Sequence, residues 1–416
     1  MKVNKKKLNI NFYVIFFVIL IQVLIFQNLL QQYIPILRYI DEILAIVLAL
    51  KYCFNTILKK KITIREFILF VFCIVITFMG LLANYKYNIQ PNKVAVYSDI
   101  VSIFKFYMVY IGLKNISSRF YNTINIKSII NISAFFAKIY LITLSIFAII
   151  NLFININMHY EIRYGLRAFS FIYGGAGHIV NHSSYLLIIL CIQSGFFPKN
   201  NNLIFIIISL LLMISTLRAR AFVLVVIFII LYYYLLIRKK NKLTFEVPII
   251  LSSILVSGYS QFEHYFLSGE TPRSRFVNAA IELIKEYFPL GTGFGTFGSS
   301  AAADYYSPLY YRFGFHLKYG MGPSDPMYLN DNYFPMIFGQ LGLIAGCMFM
   351  VFIFIVFRDI WYRFKNSGQI SRLVCLFYIF DTVFSSVQSS YLAHYSVVTL
   401  TFITIFLGGA LKNKED

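Results

Sequence analysis

The chain predicts an all-α, polytopic membrane protein: about twelve transmembrane helices in a single domain covering residues 1–416, with one large extracytoplasmic loop between the ninth and the tenth. Three observations lead there. The composition is 59% hydrophobic and only 13% charged. Runs such as 12–26, 68–83 and 334–357 carry no charge, and a polar stretch at 259–332 interrupts the apolar pattern late in the chain. Water cannot satisfy backbone groups inside a bilayer, so each apolar run must close its own hydrogen bonds as a helix of about 20 residues. The wealth of Ile, Val, Phe and Tyr is not a strand signal here, because the runs lack the alternation of a transmembrane barrel.

Crossings are expected at 12–31, 40–58, 66–83, 97–113, 133–156, 183–197, 203–217, 221–237, 246–259, 333–357, 371–388 and 391–411. This puts both termini on one side, together with 22 of the 37 basic residues: Lys2, Lys5, Lys6 and Lys7 at the start, then Lys59 to Arg65, Lys114 to Lys127, Lys199, Arg238 to Lys242, Arg358 to Arg372, and finally Lys412 and Lys414. Short loops rich in Lys and Arg stay in the cytosol, so both termini are expected there. The N-terminal run reads as an uncleaved first crossing, since no small-residue cleavage site follows it. The formal charge of +20 does not signal nucleic acid, because these basic residues sit at helix ends, where lipid headgroups and topology account for them. Five cysteines lie in or beside apolar helices and none in the large loop, which excludes a disulfide framework there and offers no metal-type spacing.

The outer-side basic residues have no topological reason to be present. They include Arg163, Arg167, Arg218, Arg220, Arg273, Arg275 and Arg312. Leu217-Arg218-Ala219-Arg220 interrupts an apolar stretch too long for one crossing, which predicts a tight helical hairpin presenting both guanidiniums at its outer tip. They either snorkel to lipid phosphates or bind a substrate phosphate or pyrophosphate. Thr271-Pro272-Arg273-Ser274-Arg275 reads as a cap, a first-turn proline and the start of an amphipathic helix over about 272–288, with Phe276, Ala280 and Leu283 on its apolar face. Arg273 and Arg275 diverge by about 200° on such a helix, so only one faces a given ligand.

Gly291, Gly293, Gly295 and Gly298 alternate in a sharply turning segment, which either packs closely or offers amides to an anion. Asp331 in Asn330-Asp331-Asn332-Tyr333 stands at the mouth of the 333–357 crossing. It is either a helix cap or a general base whose pKa a crowded site raises. His316, Asp304, Asp325 and Glu270 are further candidates, as are His178, Asn181 and His182 before the sixth crossing and Asp381, Gln388 and His394 near the last outer turn.

The order of these motifs resembles the O-antigen polymerase and ligase superfamily (Wzy/WaaL) of bacterial surface-polysaccharide assembly. The matching parts are the Leu217–Arg220 hairpin, Arg273-x-Arg275, Pro289-Leu-Gly291-x-Gly293-x-Gly295-x-Phe297, and Asp331-Asn332-Tyr333 leading into Gln340-Leu-Gly342-Leu-Ile344-x-Gly346. The resemblance covers roughly 203–346. It implies glycosyl transfer outside the cytosol, in the bacterial cytoplasmic membrane, between oligosaccharides carried on undecaprenyl pyrophosphate.

On that resemblance Arg218, Arg220, Arg273 and Arg275 would bind the pyrophosphate, Gly291, Gly293, Gly295 and Asn332 would form a substrate loop, and Asp331 or His316 would be the base. Membrane lipids and a chain-length regulator are the further partners; no cofactor, metal or nucleic acid is called for. Family ligases carry a histidine where this chain has Asp331, which favours a polymerase over the alternative of a ligase. A flippase or exporter is the other alternative, although internal repeats expected of a transporter are not evident.

Overall fold

The computed structural model describes residues 11–59, 62–154, 158, 160–239 and 271–415. The first crossing is a bent pair, α1 (Phe12–Ile25) and α2 (Gln27–Tyr33), meeting at 85°. There follow α3 (Ile40–Lys59), α4 (Ile64–Tyr87), α5 (Lys93–Lys114), the short α6 (Ser118–Thr123) and α7 (Ile126–Phe153). A hairpin of β1 (Tyr160–Arg163) and β2 (Leu166–Phe169) leads into α8 (Ala176–Phe196), α9 (Leu203–Ser215) and α10 (Ala219–Tyr232). The long loop before the next apolar helix contributes α11 (Pro272–Glu286), α12 (Ser300–Asp304) and α13 (Pro308–Arg312). The chain closes with α14 (Tyr333–Phe364), α15 (Gln369–Gln388), α16 (Tyr395–Phe402) and α17 (Gly408–Glu415), the last two joined by a wide helical turn.

Eight helices among the described residues are long and apolar enough to cross a membrane, or nine with the bent pair counted as one span. The expected crossing at 246–259 lies outside the described residues. The expected 203–217 crossing is a helix of only 13 residues. The chain is largely α-helical, as expected, and the β1–β2 hairpin, in which Tyr160 pairs with Phe169 and Arg163 with Leu166, is an addition the sequence reading lacks. Tyr164 and Gly165 turn it with φ of 52° and 75°, the two left-handed residues a tight two-residue hairpin needs. The sixth crossing starts earlier than hydropathy suggests, so His178, Asn181 and His182 lie inside α8. Buried partners on neighbouring helices compensate their polarity.

The two ends of the described chain meet at one end of the bundle. Asn11, capping α1, donates to the Thr123 carbonyl at 3.5 Å; the hydroxyl of Tyr121 packs at Gly409; and Lys414 donates to Gly195 O at 3.1 Å. At the other end the loop helices share a core of their own. Phe276, Ala280 and Leu283 of α11 pack with Phe297, Leu309, Tyr310 and Phe315, as the helical spacing predicts. Thr271 caps α11 by accepting from Ser274 N at 3.2 Å.

The bundle and the loop are joined where α14 breaks. Gly342, at φ 68° and ψ −172°, interrupts its helical ladder. The carbonyls of Gly339 and Gln340 then accept from the amides of Thr292 and Gly293 at 3.1 and 2.8 Å. Asn84 of α4 clasps Phe294 through both its amide and its carbonyl, and Gly295 N donates to Asp99 of α5 at 2.6 Å. Phe294 and Phe297 are fully buried. The segment is therefore a wedge between α4, α5 and α14. A Cβ on Gly342 would lie 2.5 Å from Gly291 N, and one on Gly291 2.2 Å from Gly342 N.

Gly342→Ala should therefore cost about 1–3 kcal/mol through backbone strain and the clash. A lower melting temperature in detergent would report it. Gly174→Ala, where an added Cβ meets nothing within 4 Å, should leave the melting temperature unchanged.

Candidate functional site

Arg218 stands where α9 gives way to α10. Leu217 takes a left-handed turn (φ 51°), and Arg218 is the residue before the first helical one of α10. Its Nη2 meets Glu161 Oε2 of β1 at 3.3 Å, and Arg163 Nη2 meets the other oxygen of Glu161 at 2.7 Å. Across from them Arg273, in the first turn of α11, meets Asp331 Oδ2 at 3.2 Å. Asn332 holds that turn in place by donating to Arg273 O at 2.9 Å. The two pairs belong to one cluster, because Arg218 feels both Arg273 and Asp331 electrostatically. Three guanidiniums and two carboxylates from four distant parts of the chain thus meet at one place. Their side chains retain between 18% and 40% of their exposure, so a ligand can reach them without bulk water screening them fully.

Burial raises the Asp331 carboxyl above its ordinary value, and Arg273 and then Arg218 oppose that shift. Burial and the neighbouring Arg163 pull the Arg218 guanidinium down, although an arginine keeps its charge. The Nε of Arg218 is buried with no hydrogen-bond partner. Beside it Gly175 precedes α8 in the capping position and has no side chain to cap it. Arg218 Nη2 lies 3.9 Å from where a Gly175 Cβ would sit, and an added Cβ on Gly174 or Gly177 would meet nothing. Open space therefore adjoins the cluster.

The structure splits the expected arginine pair. Arg218 joins the charged cluster, whereas Arg220 is 7% exposed and turns into the bundle. It donates to Asn181 Oδ1 at 2.6 Å and Gly177 O at 3.3 Å, and its charge acts on Asp381 of α15. Asn181 continues to Ser396 Oγ at 3.1 Å, which lies 2.9 Å from His394 Nδ1. The expectation of both guanidiniums at one tip is thus corrected to one in the charged cluster and one inside the bundle.

Asp331 does not cap α14. Asn332 occupies the cap position without a side-chain capping bond, and the Asp331 carboxylate faces Arg273 instead. His316 is not brought to it: its ring packs 5.1 Å from that of Tyr311, and among the described residues no hydrogen bond joins it to Asp331. Arg275 is half-buried and is not among the charges acting on Asp331. Gly293 and Gly295 direct their amides at Gln340 O and Asp99, and Gly291 directs its amide at Tyr287 O, so these glycines serve packing rather than presenting donors to an anion. Asp304 pairs with Arg38, Asp325 sits in a turn bridged to Gly322, and Glu270 lies outside the described residues. Glu161 and the turn at 174–177 are site elements that sequence reasoning does not single out, though the Gly174-Gly175-Ala176-Gly177 run is a readable sign of an open turn. Among the described residues, no group of three or more His, Cys, Asp or Glu is placed to hold a metal ion.

The class that fold and composition define is a largely α-helical, polytopic membrane protein. No protein-family model, no curated protein and no solved structure matches the chain.

The Arg273–Asp331 pair is shielded enough to show coupling. A double-mutant cycle of Arg273→Gln and Asp331→Asn, read by thermal unfolding, should return about 1 kcal/mol. Because the folded carboxyl titrates above its ordinary 3.8, the folded state binds more protons there than the unfolded one, and stability falls as pH rises from 3.8 through the folded value. Asp331→Asn should remove that part of the pH dependence.

Proposed function

We propose that this protein transfers glycosyl groups between lipid-linked oligosaccharides on the extracytoplasmic face, polymerising undecaprenyl-pyrophosphate-linked repeat units into a surface polysaccharide. The observation that carries this is the pairing of Arg273 with Asp331 beside Arg218, which Glu161 joins to Arg163. The site's depth fits a membrane enzyme working on the far side from its termini. Helix α8 runs from Gly175 beside Arg218 to the Gly195 carbonyl that accepts from Lys414, and its 21 residues span about 30 Å, the thickness of a bilayer core. With the positive-inside rule, this favours cytosolic termini in the bacterial cytoplasmic membrane.

In the proposed reaction an acceptor hydroxyl attacks the anomeric carbon of the donor sugar. The new C–O bond forms as the bond to pyrophosphate breaks, and the hydroxyl proton passes to Asp331. The charge growing on the leaving undecaprenyl pyrophosphate is met by Arg218, Arg273 and Arg163, fixed cations that need no reorganisation. Glu161 and Asp331 hold these arginines in place before substrate arrives. Asp331 is preferred to His316 as base because it stands among the arginines. A polymerase is preferred to a ligase because Asp331 stands where the family's ligases carry histidine.

Purified protein supplied with a lipid-linked repeat unit should lengthen it. Arg218→Ala and Arg273→Ala should each lose about 2–4 kcal/mol of transition-state stabilisation, roughly 30- to 1,000-fold in rate. Rates within threefold of the parent would overturn the assignment. Transfer to a different acceptor would identify a ligase, and movement of the lipid without new glycosidic bonds a transporter.

A further inference from the structure

Beside the charged cluster lies a pair of aromatic rings that the transfer chemistry does not use. Tyr328 is partly exposed, and its carbonyl accepts from the amide of Asp331 at 3.4 Å. The ring of Tyr319, 81% exposed, stands 6.4 Å from it at 56°. The backbone between them is held in shape. Tyr328 N donates to Gly320 O at 2.8 Å, and Tyr306 donates its hydroxyl to Met321 O at 3.0 Å. Gly320 has φ 68°, and a Cβ there would lie 2.4 Å from the Tyr328 ring. The chain thus lies directly against one ring and presents the other to solvent, at the edge of a cationic site.

Aromatic faces beside water bind two kinds of group: lipid at the membrane interface, or the C–H faces of a sugar ring. The backbone bond from Asp331 to Tyr328 decides between them, since it ties this residue to the turn that carries the charged cluster's carboxylate. A tyrosine anchoring the interface keeps its ring toward lipid, whereas this one belongs to the turn that carries Asp331, the partner of Arg273. In the proposed transfer reaction, the sugar next to the diphosphate is covalently tied to it and must lie beside those arginines.

We infer that Tyr319 and Tyr328 form a saccharide subsite, stacking on a sugar ring of the lipid-linked oligosaccharide while the arginine cluster holds its diphosphate. This rests on the proposed function, and it makes the pair a determinant of glycan binding rather than of bond breaking.

The test uses the full-length protein in lipid nanodiscs. Saturation-transfer NMR with free glucose, galactose, N-acetylglucosamine and N-acetylgalactosamine should give a transfer signal at the ring protons of at least one of them. Tyr319→Ala should abolish that signal, and Tyr328→Phe, which keeps the ring, should retain it. With a lipid-linked repeat unit, Tyr319→Ala should raise KM at least tenfold with kcat within threefold. Absence of a transfer signal for every one of these sugars with the parent, or an unchanged KM in Tyr319→Ala, would overturn the subsite while leaving polymerisation standing. A sugar signal that disappears in Tyr319→Ala, with no lengthening by the parent, would keep the saccharide site and remove the polymerase reading. A sugar signal that persists in Tyr319→Ala together with lower thermal stability only in lipid would overturn the subsite and mark Tyr319 as an interface anchor.

Discussion

The peptide groups released where α14 breaks have to find partners in surroundings where water is scarce, and the architecture of this end of the bundle follows from how they do so. An unpaired carbonyl at that depth costs several kcal/mol. Gly339 and Gln340 escape that cost because the 291–297 segment enters the bundle and supplies amides. The segment's own carbonyls are then met by Asn84, Gln90 and Gln340. Four chain segments become one hydrogen-bonded unit. Since α11 leads directly into this wedge and Asp331 directly precedes α14, fixing the wedge also fixes the distance between Arg273 and Asp331. The glycines that resembled a ligand loop therefore matter to the site at one remove: they set its frame.

Within that frame the charges nearly balance. Three guanidiniums against two carboxylates leave one net positive charge, in a setting drier than bulk water. Such a cluster is stable without ligand because each arginine has an anionic neighbour, yet an incoming dianion would still meet a net attraction and donor forks of matching geometry. Glu161 is the telling member. Bridging Arg163 and Arg218, it holds two like charges close together that would otherwise separate. The β1–β2 hairpin is the element that places it, so the one non-helical element described is also part of the site.

Hydropathy and charge made most of the bundle legible, because a bilayer imposes helices and their length. The hairpin at Leu217 and the capped helix at Thr271 were legible too, since an apolar stretch too long for one crossing, interrupted by two arginines, and a Thr-Pro start are local signals. What was not legible depended on contacts across the chain. Nothing in Tyr160 to Phe169 marks a hairpin strongly, because its turn is Tyr-Gly rather than Asn-Gly and its strands are four residues long. The start of α8 was hidden because His178, Asn181 and His182 lower hydropathy, and only the fold shows that their partners are Tyr395, Arg220 and the tyrosines Tyr140 and Tyr173. The glycine alternation was visible, but whether its amides point at protein or ligand depends on Asn84 and Asp99, about two hundred residues away.

The divergence of Arg218 and Arg220 shows why a motif of two like residues need not be one functional unit. They are two positions apart at the start of α10, so a helix turns them about 200° from one another. One must therefore face the bundle if the other faces the loop. A guanidinium inside a membrane bundle is tolerated only with partners in place, and Arg220 has Asn181, Gly177 O and the charge of Asp381. The hydrogen-bonded partners belong to α8, so Arg220 ties α8 to α10. The tie to Gly177 lies in the first turn of α8, next to the open glycine turn at Arg218. The inner arginine thereby steadies the ground on which the outer one stands, and removing it would leave Asp381 buried without its counter-charge.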